Sequence, residues 1–531
     1  MQELGPFQNN PSVDWSREEN RIQMREALEK VRKELEKTYP LIIGGKEFYT
    51  KETITSVNPA HFNEIVGVVA KADSILADKA VEVAQKAWRD WKKVPEKRVE
   101  YTLRAAEIMR QKKFELMAWE VFEAGKNWLE ADGDVAEAID FLEYYSREMI
   151  RLSGWHLTPQ QIPGETNQFR FVPKGVGLVL GIWNFILAIN AGMTSANLVA
   201  GNTVVFKPAS LTPVMGYKLV EIYQEAGIPD GVINYLPGAG KEVGEYLVKH
   251  PGVNLINLTG SKEVGRRVIK LAGEYPPERD LAKKVIPETG GKNAGIIDSD
   301  ADLDQAVRGT LVSAFGFQGQ KCSAESRCIT LIVVHDAFLE RLVEAAKSIK
   351  IGDPQYPENF MGPLIDESAL EKVRRYVRIG KREGKLALER KVPEDLREKG
   401  YYHGPVIFTD VDPHSRIAQE EIFGPVLAII KAKDFDQALE IANDCGFALT
   451  GGGYSRSPEH IEKTKEELEA GNKYINRKIT GSIVGRQPFG GYKCSGTGCQ
   501  AGGPDYLQQF MNIEVVSENT MRRGFTIEKE S

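Results

Sequence analysis

Several features that would assign a chain to a protein class are scarce or missing here. The 531 residues include only five cysteines, an odd number with no CxxC pair, which excludes a disulfide scaffold and favours a reducing compartment. The net charge is −6, so no general basic excess attracts nucleic acid or an anionic membrane. Residues 1–15 lack the basic start and the apolar core of a signal peptide. We therefore expect a soluble cytoplasmic protein without nucleic-acid or membrane partners.

Long hydrophobic runs are also missing, although one stretch has to be considered. Residues 175–206 carry no charged side chain and are long enough for a membrane helix. Four asparagines interrupt the stretch, however, and each amide would be costly in hydrocarbon; they are Asn184, Asn190, Asn197 and Asn202. We interpret the stretch as a buried strand, turn, helix and strand.

Motifs of metal and hydrolase chemistry are absent as well. The seven histidines are scattered without HxxxH or HxxH spacing, and no GxSxG elbow or Walker-type lysine loop occurs. We expect no metal site, so any chemistry has to rest on a thiol, a carboxylate and a bound nucleotide.

The chain does contain a long alternation of strands and helices. Residues 16–37 have the pattern of an amphipathic helix, which we interpret as docked on its own domain, with a partner helix as the alternative. After strand-like residues 41–70 and helical residues 75–149, short β-branched strands alternate with helices to about residue 480. This alternation predicts βαβ units, an α/β fold and two parallel sheets in two successive domains.

Two glycine-rich turns are candidates for binding phosphate groups. Residues 238–244 (GAGKEVG) follow a strand and nearly match GxGxxG, with one residue too many, while residues 260–265 (GSKEVG) open a helix after another strand. Glycines admit close backbone approach, and a helix N-terminus favours an anion. Each turn alone is also explained by strand-to-helix geometry, but together they indicate a dinucleotide site.

Cys322 is the candidate nucleophile. It lies in a glycine-containing polar loop beside Lys321, a cation that would favour the reactive thiolate. The alternative for any intracellular cysteine is a small buried apolar side chain, and this interpretation suits Cys328 and Cys445.

Glu288 and Asn184 are candidates for a general base and an oxyanion donor. Glu288 ends a strand before a Gly-Gly turn and would act as a base if its surroundings raise its pKa. Asn184 follows a strand, where its amide would stabilise developing negative charge. The alternatives are a helix-capping or surface acid and a turn-forming amide.

Seven motifs stand in an order that resembles the aldehyde dehydrogenase superfamily over about residues 38 to 515. They are WNF at 183–185, KP at 207–208, GS at 260–261, ETGGKN at 288–293, GQKCSA at 319–324, EEIFGP at 420–425 and PFGG at 488–491. Four further segments resemble the monofunctional bacterial subgroup that oxidises L-glutamate γ-semialdehyde, formed from 1-pyrroline-5-carboxylate, to L-glutamate. They are DVAEAIDFLEYY at 134–145, FGFQGQKCSA at 315–324, NRKITGSIVGRQPFGG at 476–491 and GGPDYL at 502–507.

This resemblance implies an α/β architecture with a Rossmann-like cofactor domain, a catalytic domain and a small β oligomerisation element. The implied limits are 1–37 for an N-terminal helical extension, 38–151 and 173–285 for the NAD(P)-binding domain, 286–490 for the catalytic domain, and 152–172 with 491–531 for the oligomerisation element. It also implies NAD as cofactor, with NADP tolerated, and a homodimer or higher homo-oligomer.

The same resemblance implies roles for individual residues. Cys322 would attack the aldehyde to form a thiohemiacetal and then a thioester, Asn184 would hold the oxyanion, and Glu288 would activate water. The implied cofactor contacts are Ile182, Trp183, Lys207, Ser210, Gly240, Gly244, Gly260, Ser261, Gly265, Glu421 and Phe423. The implied substrate contacts are Glu137, Phe185, Ser323, Gly481, Ser482 and Phe489.

Three departures from the family pattern affect these residues. Ile182 and Ile186 stand where prolines usually flank the WNF motif, which would leave the turn around Asn184 less rigid. Pro287, directly before the proposed base Glu288, stands where the family prefers an aliphatic residue, and it would change how freely Glu288 moves. Ser210 replaces the glutamate that relatives strictly using NAD often carry.

Three alternative functions remain to be weighed. A dehydrogenase for another small semialdehyde, such as succinate semialdehyde, is disfavoured by residues 476–482, which would shape a carboxylate pocket. A non-catalytic binding protein is disfavoured because Cys322, Glu288 and Asn184 are all retained. A cofactor-free cysteine hydrolase is disfavoured because no histidine motif accompanies the thiol.

Overall fold

A computed structural model describes residues 4–274 and 282–521 of the protein. Parts of three predicted segments lie outside the described residues: 1–3 of the N-terminal extension, 275–281 of the cofactor domain and 522–531 of the oligomerisation element. The helices are α1 Glu18–Arg32, α2 Ser74–Trp91, α3 Pro95–Gln111, α4 Lys113–Ala124, α5 Trp128–Leu152, α6 Ala188–Ala200, α7 Pro213–Glu225, α8 Glu245–Lys249, α9 Lys262–Ala272, α10 Leu303–Phe315, α11 Ile332–Lys347, α12 Glu367–Glu383, α13 Glu394–Arg397, α14 Arg416–Gln419, α15 Phe435–Asn443 and α16 Pro458–Glu467.

The strands, most of them short, belong to five sheets. They are β1 Lys37–Tyr39, β2 Leu41–Ile43, β3 Lys46–Phe48, β4 Thr53–Asn58, β5 His61–Ala70, β6 His156–Leu157, β7 Glu165–Pro173, β8 Val176–Leu180, β9 Thr203–Lys207, β10 Ile233–Tyr235, β11 Leu255–Thr259, β12 Lys284–Glu288, β13 Asn293–Ile297, β14 Glu325–Leu331, β15 Lys385–Glu389, β16 Val406–Thr409, β17 Val426–Ala432, β18 Phe447–Ala448, β19 Thr450–Tyr454, β20 Asn472–Ile475, β21 Tyr492–Lys493 and β22 Met511–Asn519. The small sheets are β1-β5-β4, β18-β21 and β22-β7-β6.

The first large sheet has the order β12-β11-β8-β9-β10-β2-β3. Its strands from β12 to β10 are parallel, and β2 and β3 add an antiparallel edge. Strands such as β9 are buried along their whole length because helices cover both faces of the sheet. The predicted parallel α/β layer is therefore confirmed, and residues 175–206 form β8, a turn, α6 and β9 as expected.

The second large sheet has the order β15-β16-β17-β14-β13-β19-β20 and is parallel except at β15. It confirms the second predicted layer. One difference concerns residues 328–334 (CITLIVV), whose composition favours a strand throughout. The strand β14 ends at Leu331, where its pairing with Ala432 of β17 also ends, and Ile332 and Val333 begin α11 on the surface. Their β-branched side chains favour a strand, but no partner strand continues beside them.

The N-terminal helix is docked on its own chain, as predicted. Met24, Leu28 and Val31 are buried in the core that α1 shares with α4, and Lys30 pairs with Glu115 of α4 at 2.7 Å. The helix is shorter than the predicted 16–37 and ends at Arg32, because the chain turns to form β1 from Lys37.

Neither the helices nor the acidic and thiol side chains of the described residues indicate a membrane or metal site. Across residues 4–274 and 282–521, no helix is both long enough and apolar enough to cross a bilayer. Over the same residues, no three histidine, cysteine, aspartate or glutamate side chains are grouped so that they could hold a metal ion.

Candidate active site

Two cavities meet at Cys322, the residue that lines both. One is lined by Glu137, Phe141, Tyr145, Phe185, Ile189, Gly192, Met193, Glu288, Cys322, Ser323, Gly481, Ser482, Phe489, Ala501 and Tyr506. The other is lined by Ile182, Trp183, Asn184, Leu211, Thr259, Gly260, Ser261, Thr289, Gly290, Cys322, Ile365, Asp366, Ser368, Ala369, Lys372, Glu421, Ile422 and Phe423. All six residues predicted to contact substrate line the first cavity, and six of the eleven predicted to contact the cofactor line the second.

Cys322 follows a strained turn that the fold holds from outside. After α10, Phe317 and Gln318 have φ angles of 46° and 57°, in the left-handed region that these residues rarely adopt. The Gln318 amide donates to the carbonyl of Pro363 at 2.7 Å and accepts from the N–H of Gly362 at 3.0 Å. These bonds to a distant segment fix the loop and explain how its conformation persists.

The surroundings of Cys322 favour the thiol over the predicted thiolate. Burial, followed by the nearby Glu421 and Glu288 carboxylates, raises the pKa of Cys322 to about 12. The prediction that Lys321 would favour the thiolate is wrong, because the Lys321 ammonium forms an ion pair with Glu130 at 2.6 Å. The charge of Lys321 is neutralised there and does not act on the sulfur.

Glu288 has the pKa that a base at neutral pH needs. Burial raises the pKa of Glu288 to about 7. The backbone on either side is fixed, since the N–H of Gly260 donates to the Glu288 carbonyl at 3.0 Å and that of Thr497 donates to the Pro287 carbonyl at 3.2 Å. Within the described part of the chain the carboxylate itself has no hydrogen bond, whereas the backbone at Pro287 and Glu288 is held.

The turn that carries Asn184 is held by hydrogen bonds to a side chain for which the sequence predicts no role in the site. Asn190 of α6 accepts from the N–H of Ile182 at 3.1 Å and donates to the carbonyl of Ile186 at 2.8 Å. These two bonds fix both positions where the family has prolines. Asn184 is buried, and its amide nitrogen donates to the carbonyl of Gln320 at 2.9 Å, two residues before Cys322.

The second cavity combines a helix N-terminus with an aromatic and acidic wall. Ser261 caps α9, its hydroxyl accepting from the N–H of Val264 at 3.3 Å, and Gly260 and Ser261 bring the N-terminus of this helix to the cavity wall. Glu421 accepts from the N–H of Gly291 at 2.9 Å, and burial raises its pKa. The rings of Trp183 and Phe423 meet edge to face, with centroids 5.4 Å apart.

Five predicted cofactor residues lie outside the lining of this cavity. Lys207 is buried, donates to the carbonyl of Pro208 at 3.0 Å and has a pKa lowered to about 8 by burial. A Cβ on Gly244 would lie 3.4 Å from the Lys207 side chain, so these two residues are neighbours. Gly265 lies close to Thr289, where a Cβ would clash at 2.6 Å, which explains this glycine by helix–strand packing.

The remaining two belong to the loops beside Lys207. The hydroxyl of Ser210 is exposed and donates to the carbonyl of Gly238 at 3.3 Å. Gly240 opens a single helical turn, Gly240–Gly244, that leads into α8, and a Cβ there would meet no atom within 4 Å. Residues 240–244 of the predicted phosphate-binding turn thus form a helical turn. This turn is wide, so it includes the one residue by which the segment exceeds the GxGxxG spacing.

A buried ion cluster behind the site was missed by the sequence analysis. Lys126 is 1% exposed and forms ion pairs with Asp134 and, at 3.2 Å, with Glu120. Its ammonium also faces the rings of Phe185 at 4.8 Å and Phe317 at 5.3 Å. No sequence motif indicates this cluster, since a lysine at a helix end is usually solvated.

The additional lining residues of the first cavity were also missed. Phe141, Tyr145 and Met193 lie on α5 and α6, where they follow the spacing of ordinary core residues. Burial raises the pKa of the nearby Glu137 to about 8. This cavity therefore combines aromatic and apolar walls with Glu137, Glu288 and a few hydroxyl and backbone donors.

Comparisons with known proteins agree with this arrangement. The sequence pattern of the aldehyde dehydrogenase family matches residues 48–516. The 1-pyrroline-5-carboxylate dehydrogenases of Geobacillus sp. (strain WCH70) and Geobacillus kaustophilus are 51% and 50% identical to the chain over 514 residues, which cover 97% of this chain and 99% of each relative.

Solved structures are similar over nearly the whole chain. A 1-pyrroline-5-carboxylate dehydrogenase from Thermus with bound NAD has a TM-score of 0.95 and 48% identity, covering 98% of this chain and 100% of that one. A betaine aldehyde dehydrogenase from Staphylococcus aureus in complex with NAD+ has a TM-score of 0.88 and 27% identity, covering 96% of this chain and 99% of that one.

Proposed function

The chain belongs to the aldehyde dehydrogenase family, and on that premise we propose that it oxidises L-glutamate γ-semialdehyde, formed from 1-pyrroline-5-carboxylate, to L-glutamate with NAD. This reaction is the second step of proline degradation. The observation that carries the proposal is the meeting of the two cavities at Cys322. The relatives that are about half identical to the chain over nearly its whole length are named 1-pyrroline-5-carboxylate dehydrogenases, which favours this substrate over succinate semialdehyde. A cytoplasmic location belongs to the proposal, since the cysteine content favours a reducing compartment.

The second cavity fits a dinucleotide. The N-terminus of α9, with Gly260 and Ser261, offers N–H donors to a pyrophosphate, and the Glu421 carboxylate can accept from ribose hydroxyls. Lys207, buried and bound only to a carbonyl in the described chain, has an ammonium free to donate to the adenosine ribose. When bound, NAD supplies the acceptor for the hydride that leaves the substrate carbon.

Cys322 and Asn184 would carry the covalent step. Because burial raises the pKa of Cys322, the attacking group would be a thiol whose proton passes to the aldehyde oxygen as sulfur bonds to the aldehyde carbon, and this proton leaves to solvent when the carbon is oxidised to the thioester. The resulting thiohemiacetal oxygen needs donors, and we assign these to the Asn184 amide and the Cys322 N–H. The bond from Asn184 to the Gln320 carbonyl supports this, because it orients the amide beside the nucleophile loop.

Glu288 would release the product by hydrolysing the thioester. A carboxylate with a pKa of about 7 is partly ionised at neutral pH and can take a proton from water. Because no hydrogen bond within the described residues holds the carboxylate, its side chain would be able to turn toward the thioester for hydrolysis. Ser323, Gly481 and Ser482 would bind the substrate carboxylate, and Glu137, Phe185 and Phe489 would line the aldehyde channel.

Replacing Cys322 by Ala should abolish aldehyde oxidation while NAD still binds, since the covalent step is lost and the second cavity keeps its other walls. We expect NADH formation by the wild type to be fastest with glutamate γ-semialdehyde in a panel that includes succinate semialdehyde and propanal. Cys328→Ala, which removes a buried thiol of β14, is the matched control. Turnover by Cys322→Ala above background would contradict the mechanism.

The pKa of Glu288 predicts a pH dependence. Only the ionised carboxylate acts as a base, so the hydrolysis rate should rise with pH around a midpoint of about 7. In Glu288→Gln this limb should vanish, steady turnover should fall about 100-fold, and the acyl group should accumulate as added mass on Cys322. The control is Glu123→Gln, because Glu123 has a raised pKa of about 7 but caps α7. A normal rate without adduct in Glu288→Gln would exclude Glu288 as the base.

Ser210 supports tolerance of NADP. A glutamate near the ribose would repel a 2′-phosphate, whereas the Ser210 hydroxyl carries no charge, and this exposed residue lies in the turn that follows Lys207 at the end of β9. Ser210→Glu should therefore reduce kcat/KM for NADP far more than for NAD, and Ser210→Gln, of similar size but neutral, should not. Steady-state constants for both cofactors decide this, and an unchanged NADP/NAD ratio in Ser210→Glu would refute it.

The sheet β22-β7-β6 supports a homodimer or a higher homo-oligomer. Its strands carry the exposed apolar side chains Leu157, Ile513, Val515 and Val516, and Trp155 and Ile162 are exposed in the adjoining segments. Ile513 and Val515 share one face of β22, so Ile513→Lys with Val515→Lys should yield a 59.2 kDa species by light scattering. Val333→Lys, at an exposed valine of α11, should leave the wild-type assembly unchanged. A wild type of monomer mass at micromolar concentration would contradict the proposal.

A further inference from the structure

A buried pair of hydroxyl groups joins the nucleophile loop to the loop expected to bind the substrate carboxylate. Ser323 Oγ and Thr480 Oγ1 are 2.6 Å apart, and the two residues are 5% and 1% exposed. Ser323 directly follows Cys322 and lines the first cavity, whereas Thr480 precedes Gly481 and Ser482 without lining that cavity itself. The hydrogen bond thus links two segments that are 157 residues apart in sequence.

Either hydroxyl group could donate in this bond, and the two directions differ in what Ser323 offers to the cavity. Each has one proton, and the distance requires that one proton lies between the oxygens. If Ser323 donated to Thr480, no Ser323 proton would face the cavity. If Thr480 donates, the proton of Ser323 is free to point at a ligand in the cavity, and its oxygen is held by the bond it accepts.

The walls of the first cavity make such a donor important. Its ionisable lining residues are Glu137, Glu288, Cys322, Tyr145 and Tyr506, and among the described residues no lysine or arginine lines it. The two nearby lysines stand outside the lining: Lys321 is paired with Glu130, and the Lys478 ammonium lies behind Gly481, 3.1 Å from where a Cβ on that glycine would be. The groups of the lining that can donate to a carboxylate are therefore neutral, and their direction matters more than it would for an ammonium group.

We propose that Thr480 is a positioning residue that sets the preference for aldehydes bearing a carboxylate. It donates to Ser323 Oγ, which turns the Ser323 proton toward the carboxylate, and it fixes Gly481 and Ser482 beside that hydroxyl. The proposal rests on the proposed function. Neighbouring bonds support a rigid frame, since the N–H of Ile479 donates to Ser313 Oγ at 3.1 Å and Thr450 Oγ1 donates to the Ser323 carbonyl at 3.3 Å.

The test compares Thr480→Val, which keeps the side-chain shape but removes the hydroxyl, with Thr480→Ser, which keeps the hydroxyl. Thr480→Val should raise KM for glutamate γ-semialdehyde about 10-fold and change kcat less than about threefold, because a bond to the bound substrate is weakened. Its kcat/KM for propanal, which has no carboxylate, should stay within about twofold of wild type. Thr480→Ser should restore KM for glutamate γ-semialdehyde to nearly the wild-type value.

A double-mutant cycle tests whether Thr480 acts through Ser323. In a Ser323→Ala background, adding Thr480→Val should change KM for glutamate γ-semialdehyde by less than about twofold, because the hydroxyl to be oriented is gone. Thermal unfolding and NAD affinity report whether each variant is folded. If Thr480→Val does not fold, Thr480→Ala, which introduces no added bulk, is measured in the same way.

The outcomes separate this inference from the proposed function. A wild type that prefers glutamate γ-semialdehyde over propanal, with a Thr480→Val variant that keeps the same preference, would overturn the inference and leave the function standing. Equal losses with both aldehydes would also overturn it, because they indicate a general structural role. A wild type without this preference would refute the proposed function and the inference with it.

Discussion

The geometry of the active site depends on the buried ion pair between Lys126 and Asp134. One Asp134 oxygen contacts the Lys126 ammonium, and the other accepts from the N–H of Ala188 at 2.5 Å, at the start of α6. The same ammonium faces Phe185, next to Asn184, and Phe317, in the turn before Cys322. The Lys126 ammonium thereby contacts three parts of the site: α5, the turn that carries Asn184, and the turn before Cys322. Removing one partner from such a pair typically costs about 3–5 kcal/mol, because an uncompensated charge remains buried.

Burial also determines the ionisation of the reacting groups. It raises the pKa of Glu288 to about 7 and that of Cys322 to about 12, so the base is adjusted to neutral pH and the nucleophile stays protonated until it reacts. Glu421 reinforces the shift at the sulfur, although its own part is in the second cavity. Burial in the same site therefore sets the pKa of both the nucleophile and the base of the proposed reaction.

The sequence predicts the two parallel sheets because β-branched strands and amphipathic helices alternate with a clear period. It also predicts part of the lining of the two cavities, since loop motifs such as those around Cys322 and Glu288 are local in the chain. The sequence does not predict the roles of Lys126, Asn190 and Thr480, because each role depends on contacts that only the folded structure brings together. Lys321 shows the opposite error: adjacency in sequence suggests an effect on Cys322, but the side chain pairs with Glu130.

The hydrogen bonds of Asn190 explain how this chain fixes the turn without the prolines that the family usually has at positions 182 and 186. A proline at 182 would fix φ but would lack the N–H that now donates to Asn190 Oδ1, and the buried amide would lose that partner. Ile182 therefore keeps a donor that this chain uses, and the turn is fixed by hydrogen bonds instead of a ring. Because Asn190 lies in the first turn of α6, and Asp134 binds the first residue of that helix, both constraints on Asn184 act through the start of α6.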